Sequence, residues 1–276
     1  MAKPRRKTGW KFLFGIFLGM GIMTLLIYLA VLSTSPFSKK IAVIKIQGEI
    51  SPGGSFLTET FSPDDAFSFI KTAEDDATIK AVLFEIDSPG GSVVASREIA
   101  HAVAQMDKPT ICWMGDVAAS GAYWIASSCD YIMADPLTLT GSVGVTASYL
   151  EFSKLFEKYG ITYEQITSGG SKDIGSPYRN MTSGERSKME YIVNETFRYF
   201  LEDVTAKRNL TQEQVATIKS GDIFLGKDAV AIGLIDSTGT ISDARAKAEE
   251  LAGIENADFV SLQKKGLSLF DLLGML

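Results

Sequence analysis

The alternation of short apolar segments with amphipathic helical segments constrains the fold most strongly. Segments 41–46, 80–87 and 109–114 are typical of buried strands. Helical patterns at 62–74 and 93–106 separate them. Strands that alternate with helices of about 10 to 15 residues form βαβ units around a parallel sheet. The sequence therefore predicts an α/β fold with a mostly parallel sheet.

The same periodicities continue towards the C-terminus. Thr182 and Glu185 have the spacing of a capping box, which predicts the start of a long amphipathic helix. The remaining predicted elements are a strand at 130–135, a helix at 150–160, a strand at 161–167, the long helix at 182–208, and shorter helices around 211–219, 226–232 and 241–252.

Residues 12–32 form an uncharged, apolar run of 21 residues. A helix of this length, at about 1.5 Å per residue, is long enough to cross a hydrocarbon core of about 30 Å. The apolar region of a secretory signal peptide has only about 7 to 15 residues and precedes a small-x-small cleavage site. Residues 28–35 match such a site weakly, so we predict an uncleaved transmembrane anchor.

The charges around this run predict its orientation. Five basic residues precede the run, and the first acidic residue is Glu49. The positive-inside rule keeps such a basic cluster in the cytoplasm. We therefore expect a single-pass protein of the cytoplasmic (inner) membrane, with the chain beyond Ser33 outside the cytoplasm or in the periplasm.

Five segments follow from these features. We predict a cytoplasmic basic N-terminus (1–11), a transmembrane anchor (12–32), a linker (33–40), a main domain (41–262) and an apolar C-terminal tail (263–276). The tail is expected to pack on its own domain or on a neighbouring subunit, with contact to the membrane surface as the alternative.

The charge balance and the motifs exclude several function classes. Without the five N-terminal basic residues, 22 basic residues face 33 acidic ones. Nucleic-acid binding needs clustered Lys and Arg, so it is not expected. The sequence contains no metal-ligand spacing and no nucleotide-binding glycine motif, so we predict neither a metal nor a cofactor. Cys112 and Cys129 are expected to be small buried thiols, with a single disulfide between them as the alternative.

The number of histidines limits the catalytic mechanisms available to a serine hydrolase with this sequence. The chain has one histidine, His101, within a predicted helix flanked by alanines. A structural or surface histidine is the better interpretation, and a Ser-His-Asp triad would depend on this residue alone. A serine nucleophile would otherwise need a lysine base, and a dry environment favours the neutral amine that such a base requires.

Three segments carry residues suited to acyl transfer. The turn at 87–92, "DSPGGS", joins a strand to a helix, where backbone N–H groups can stabilise an oxyanion. It also fits a glycine-rich connection without a catalytic role. Ser120 lies at a second strand-to-helix junction and would equally serve as a helix cap. Lys172 lies in a glycine-rich loop and, taken alone, is typical of a solvated lysine.

Together, three stretches resemble the signal peptide peptidase A family, which are membrane-bound serine peptidases with a ClpP/crotonase-like fold. The stretches are "DSPGGSVVASREI", "GDVAASGAYWIASSCDYIMADPLTLTGSVGV" and "SKDIGSPYRNMTSGER", in the family's order. The resemblance runs from about residue 41 to about residue 245 and implies repeated βαβ (β-β-α) units.

The resemblance also implies the roles of individual residues. Ser120 matches the nucleophile and Lys172 the general base, and Ser142 matches the serine that orients the lysine. The oxyanion donors would lie at the Gly90–Gly91 turn, with Gly91 N–H favoured, and at the nucleophile's own N–H. Because Lys172 lies 52 residues beyond Ser120, another element or a neighbouring subunit must supply the base.

The function implied is a membrane-anchored serine endopeptidase that hydrolyses hydrophobic peptides, especially cleaved signal peptides, through an acyl-enzyme. The family's assembly implies a homo-oligomeric ring. Two alternatives stay open at this point. One is a non-catalytic scaffold or binding module on the same fold that acts in membrane protein quality control. The other is a crotonase-type acyl-CoA enzyme, which a location outside the cytoplasm disfavours.

Overall fold

The computed structural model describes residues 8–33, 39–53 and 60–263. The chain divides after Lys39 into two compact units. The first unit contains helix α1 (Thr8–Ser33). The second unit begins at Lys40 and contains the remaining elements. The predicted tail, 263–276, lies outside the described residues except for Gln263.

Helix α1 contains the predicted membrane segment, 12–32. The segment is helical, as expected. Its described side chains, at 15–26 and at Tyr28, are exposed. Among the residues that the structure describes, no helix has both the length and the apolar character needed to cross a bilayer. The prediction of a transmembrane helix is therefore not confirmed.

The second unit is built on a mostly parallel sheet. Its strands lie in the order β10-β1-β4-β5-β6-β9, all parallel; β7 pairs parallel with β5, and β8 pairs antiparallel with β7. Strands β2 and β3 form a separate parallel pair. The strands are β1 (Lys40–Gln47), β2 (Glu49–Ile50), β3 (Thr60–Phe61), β4 (Ile79–Ser88), β5 (Thr110–Ala119), β6 (Tyr131–Ala134), β7 (Leu139–Gly141), β8 (Ile223–Leu225), β9 (Ser237–Thr238) and β10 (Asp258–Leu262).

Helices cover both faces of this sheet. They are α2 (Pro63–Asp75), α3 (Val93–Ala104), α4 (Gly121–Ala126), α5 (Ser153–Lys158), α6 (Ser183–Arg208), α7 (Gln212–Ile218), α8 (Gly226–Ala231) and α9 (Ile241–Ala252). The predicted capping box at Thr182 and Glu185 is present at the start of α6. The α/β class and the mostly parallel sheet are confirmed, and both agree with a ClpP/crotonase-like fold.

Strand β1 shows why the central strands are almost continuously apolar. Ala42 and Ile44 point into the larger hydrophobic core, which α2, α3, α4 and α6 cover. Ile41 and Val43 point into the smaller core on the opposite face, under α9. Successive side chains of a strand point to opposite faces, so where both faces are covered consecutive residues are buried, as at 41–44.

The segment 161–167 is not a strand, contrary to the prediction. It begins with alternating apolar and polar residues, but it has no pairing partner in the described chain. Ile161 is half exposed and Ile166 is fully exposed. A strand needs a neighbour for its backbone hydrogen bonds. The predicted helix at 150–160 shortens to α5, and β5 extends five residues beyond its predicted end at Met114, to Ala119.

Gly121 sets the distance between α3 and α4. A Cβ atom at this position would collide with Ser96 Oγ and lie 2.8 Å from Ser96 Cβ. Ser96 is fully buried. The bare Cα of Gly121 is therefore required for the two helices to pack at this point.

We expect Gly121→Ala to lower the free energy of unfolding by about 1 to 3 kcal/mol, the usual effect of an overpacked core. Gly184→Ala is the matched control, because Gly184 also lies in the first turn of a helix and has no atom within 4 Å of a built Cβ. It should be neutral or stabilising by up to about 1 kcal/mol. Urea unfolding measures both. Equal stability of the two variants would show that the α3–α4 contact is looser than described.

Candidate active site

Ser120 occupies a strained backbone position where β5 ends and α4 begins. Its φ and ψ are 54° and −126°, and a positive φ is uncommon for a residue with a Cβ atom. Such conformations cost about 1 to 3 kcal/mol and cluster at functional sites. The half-buried side chain makes no capping hydrogen bond to α4. A role as a simple helix cap therefore does not explain Ser120.

The backbone N–H of Ser120 is already in use. It donates to the carbonyl oxygen of Gly141, 2.9 Å away. The expectation that the nucleophile's own N–H would stabilise an oxyanion is therefore wrong in this structure. The next N–H along the chain belongs to Gly121, the first residue of α4, and the first N–H groups of a helix have no intrahelical acceptor. Gly121 N–H therefore has no acceptor within α4, whereas Ser120 N–H is hydrogen-bonded.

The Gly90–Gly91 turn lies directly against this junction. A Cβ atom on Gly90 would come within 2.7 Å of Gly121 N and 2.8 Å of Ala119 O. Gly90 also has a φ of 98°, which favours glycine. Only a residue without a side chain lets the two backbone segments approach this closely.

Within this turn, Gly91 has the N–H suited to bind an anion. Gly90 N–H donates to Ser88 Oγ at 3.1 Å. The bridge to Ile50 uses the Gly90 carbonyl and the Ser92 N–H, so Gly91 N–H points away from Ile50. Gly91 N lies 3.5 Å from the Cβ position of Gly121. The N–H groups of Gly91 and Gly121 are therefore neighbours beside Ser120.

Ser142 follows β7 and lies next to the same junction. Its φ is 49°, a second strained serine, and its N–H donates to Asp222 O at 2.8 Å. Gly141, which directly precedes Ser142, accepts the hydrogen bond from Ser120 N–H. The backbone at Ser142 therefore lies next to the candidate nucleophile. The structure thus brings together Ser120, the Gly90–Gly91 turn and Ser142.

Lys172 is not part of this cluster within one chain. It lies in a series of turns between α5 and α6, its N–H donates to Gly169 O at 3.0 Å, and its side chain is exposed. Among the described residues, no hydrogen bond joins the Lys172 amine to Ser120 or Ser142. One chain therefore presents the predicted base to solvent and not to the predicted nucleophile.

The segment after Lys172 contains an ionic cluster that the sequence analysis did not single out. The Arg179 guanidinium donates hydrogen bonds that lower the pKa of Asp173 to about 2. Hydrogen bonds from Arg179 and from the backbone of Thr182 lower the pKa of Glu185 to about 2. Both carboxylates are therefore charged at neutral pH. The spacing of Arg179 from its partners gave no recognisable motif.

His101 and the two cysteines offer no alternative nucleophile system. His101 is exposed on α3 and contacts Gln105, with 3.0 Å between the nitrogens, which confirms a surface histidine. Cys112 and Cys129 are free and buried, as predicted. Burial raises the pKa of the Cys112 thiol, which disfavours a reactive thiolate. In the described parts of the chain, no cluster of three His, Cys, Asp or Glu residues could hold a metal.

This arrangement has most of the parts of an acyl-transfer site. A hydroxyl on a strained junction lies close to two backbone segments, at Gly91 and Gly121. Backbone N–H groups are the kind of donor that stabilises a tetrahedral oxyanion. Among the residues that the structure describes, no hydrogen bond joins a basic side chain to the Ser120 hydroxyl.

Comparison with known proteins identifies the family. Residues 102–255 match peptidase family S49. The chain is 36% identical over 211 residues to a candidate protease of Methanocaldococcus jannaschii, which covers 74% of this chain and 68% of that protein. It is 34% identical over 213 residues to a candidate signal peptide peptidase of Enterococcus faecium, covering 75% of this chain and 62% of the relative.

A solved structure shares the fold. A membrane-bound stomatin-specific protease superposes with a TM-score of 0.54 at 16% identity, covering 83% of this chain and 99% of that one. At this identity the likeness shows the fold alone. The sequence matches confirm the resemblance to signal peptide peptidase A proteins, and the chain belongs to peptidase family S49.

Proposed function

We propose that the protein is a membrane-anchored serine endopeptidase that cleaves hydrophobic peptides through a Ser120–Lys172 dyad. The observation that carries the proposal is the strained Ser120, whose side chain makes no capping bond and lies beside the Gly91 and Gly121 N–H groups. Membership of a peptidase family supports the same reaction class.

The reaction follows from these groups. Ser120 Oγ attacks the peptide carbonyl carbon while the neutral Lys172 amine takes the hydroxyl proton. The N–H groups of Gly91 and Gly121 donate to the resulting oxyanion. The C–N bond then breaks, and the lysine returns the proton to the departing amine. Water, deprotonated by the same lysine, hydrolyses the acyl-enzyme. The proposed role of Ser142 is to orient the Lys172 amine.

We propose that Lys172 reaches Ser120 of a neighbouring copy. Its loop is tied through Arg179 to Glu185, at the start of α6. Helix α4, which begins after Ser120, contacts α6 far beyond Glu185. There Trp124 stacks on Phe200 with ring centroids 4.4 Å apart. Phe200 lies 15 residues beyond Glu185, or about 22 Å along a helix. This separation favours a base supplied by another subunit.

The exposed apolar residues between 149 and 166 support the proposed homo-oligomeric ring. Large exposed apolar patches on a folded domain mark interaction surfaces. A neighbouring copy that covers this segment would bring Lys172 with it. The most exposed side chains are Leu150, Leu155, Tyr159, Ile161, Tyr163 and Ile166.

The substrate class and the anchor are also proposals. The name of the Enterococcus relative indicates action on signal peptides, so we propose remnant signal peptides as substrates. The uncharged run at 12–32 behind a basic cluster supports an N-terminal membrane anchor, with the second unit outside the cytoplasm. An anchored peptidase would meet hydrophobic peptides as they leave the bilayer.

We expect Ser120→Ala and Lys172→Ala each to lower kcat for an apolar reporter peptide by about 10⁴-fold or more, because dyad members act as a unit. Ser68→Ala and Lys71→Ala are matched controls. Both residues lie on the exposed face of α2, with Lys71 paired to Asp75, and both variants should keep wild-type turnover. Full activity of either dyad variant would overturn the assignment. A wild-type protein inactive on every apolar peptide would favour the scaffold alternative.

Mixed assemblies test where the base comes from. If Lys172 acts on a neighbour, co-expressed Ser120→Ala and Lys172→Ala chains should recover up to about a quarter of the wild-type activity per site, because a ring interface can pair one intact serine with one intact lysine. Peptide hydrolysis by the purified mixture measures this recovery. Assemblies that contain both chains and yet remain inactive would place the dyad within one chain.

A further inference from the structure

Arg179 holds the segment that carries Lys172. Its Nε donates to Asp173 Oδ2 at 2.6 Å, and its Nη2 donates to Asp173 Oδ1 at 2.6 Å. This is a two-point contact between a planar guanidinium and a carboxylate, a geometry that resists rotation. Because Asp173 is the residue next to Lys172, the contact fixes the backbone from which the lysine side chain extends.

The other edge of Arg179 is bound to α6. Its Nη1 and Nη2 donate to the two carboxylate oxygens of Glu185 at 2.9 and 2.6 Å. Nη1 also donates to the Asn180 carbonyl at 3.1 Å. These contacts make five hydrogen bonds, which matches the five N–H donors of an arginine side chain. No lysine can reproduce this arrangement, because its ammonium has only three donors and no plane.

Glu185 is itself rigidly placed. Its side chain is only 4% exposed. Its Oε2 accepts hydrogen bonds from the Thr182 N–H at 2.9 Å and the Thr182 hydroxyl at 3.0 Å, within the capping box that starts α6. The connection from Lys172 to the helix therefore runs through Asp173, Arg179 and Glu185, and every contact in it is charged and hydrogen-bonded.

We propose that Arg179 is a positioning residue for Lys172, which holds the lysine loop against the N-terminus of α6 so that the amine meets Ser120. The proposal rests on the proposed dyad. A long, flexible lysine on a loose loop would rarely reach the geometry needed for proton transfer, and misplacement by about 1 Å costs up to about a hundredfold in rate. Arg179 thus acts on catalysis through Lys172 alone.

A double-mutant cycle separates this role from a general structural one. The rate at which a fluorophosphonate labels the full-length protein is measured by intact mass for the wild type, Arg179→Ala, Lys172→Ala and the double variant. Arg179→Ala should slow labelling about tenfold or more when Lys172 is present. It should change the rate less than twofold in the Lys172→Ala background, because the residue it positions is absent.

Arg198 provides the matched control. It lies on α6, the helix that Arg179 contacts through Glu185, and it pairs with two carboxylates, Glu195 and Glu202, on an exposed face. Arg198→Ala should label at the wild-type rate. Arg179→Lys should recover only part of the wild-type labelling rate. If a thermal unfolding assay shows that Arg179→Ala does not fold, Arg179→Lys replaces it in the double-mutant cycle.

The outcomes distinguish the two levels of the proposal. Wild-type labelling of Lys172→Ala would overturn the dyad itself. Slow labelling of Lys172→Ala combined with wild-type labelling of Arg179→Ala would overturn the positioning role and leave the dyad intact. An equal loss on removing Arg179 in both backgrounds would also overturn it, because Arg179 would then act on the site without Lys172.

Discussion

The site depends on the contact between two bare stretches of backbone, the Gly90–Gly91 turn and the Ser120–Gly121 junction. A Cβ atom on Gly90 would press into Gly121 N and Ala119 O. The contact orders the two N–H groups beside the hydroxyl, and it accompanies a positive φ at Ser120. Strain of this kind persists only where the surrounding structure enforces it. Here the hydrogen bond from Ser120 N–H to Gly141 O adds to that enforcement.

The fold class and most of the candidate cluster could be predicted from the sequence because their signals are local. Strand and helix periodicities mark the sheet, and glycines next to a strand end mark the turn at Gly90 and Gly91. The oxyanion donor at the serine was misassigned, because the partner of Ser120 N–H lies on β7, about 20 residues further along the chain. A sequence pattern does not show which backbone N–H groups are hydrogen-bonded to a strand distant in the sequence.

The predictions for residues 150–180 failed where the structure depends on contacts that a local sequence pattern does not show. The segment 161–167 begins with strand-like alternation but has no strand partner in the described chain, and several large apolar residues around it stay exposed. Arg179 was not predicted, because it joins Asp173 and Glu185 across a loop and no local sequence pattern marks such a contact. If this segment contacts a second copy, as proposed, its apolar residues lie in a contact between chains and not in a strand within one chain. An active site completed only on assembly would also keep isolated chains inactive.

The central claim is that Ser120 forms the acyl-enzyme. The most direct measurement is peptide mapping by mass spectrometry after the protein has been treated with a fluorophosphonate or quenched in acid during turnover of an apolar peptide. The account predicts one adduct, on the peptide that contains Ser120, and none on the Ser120→Ala variant. An adduct on another serine, or unchanged labelling of the Ser120→Ala variant, would contradict it.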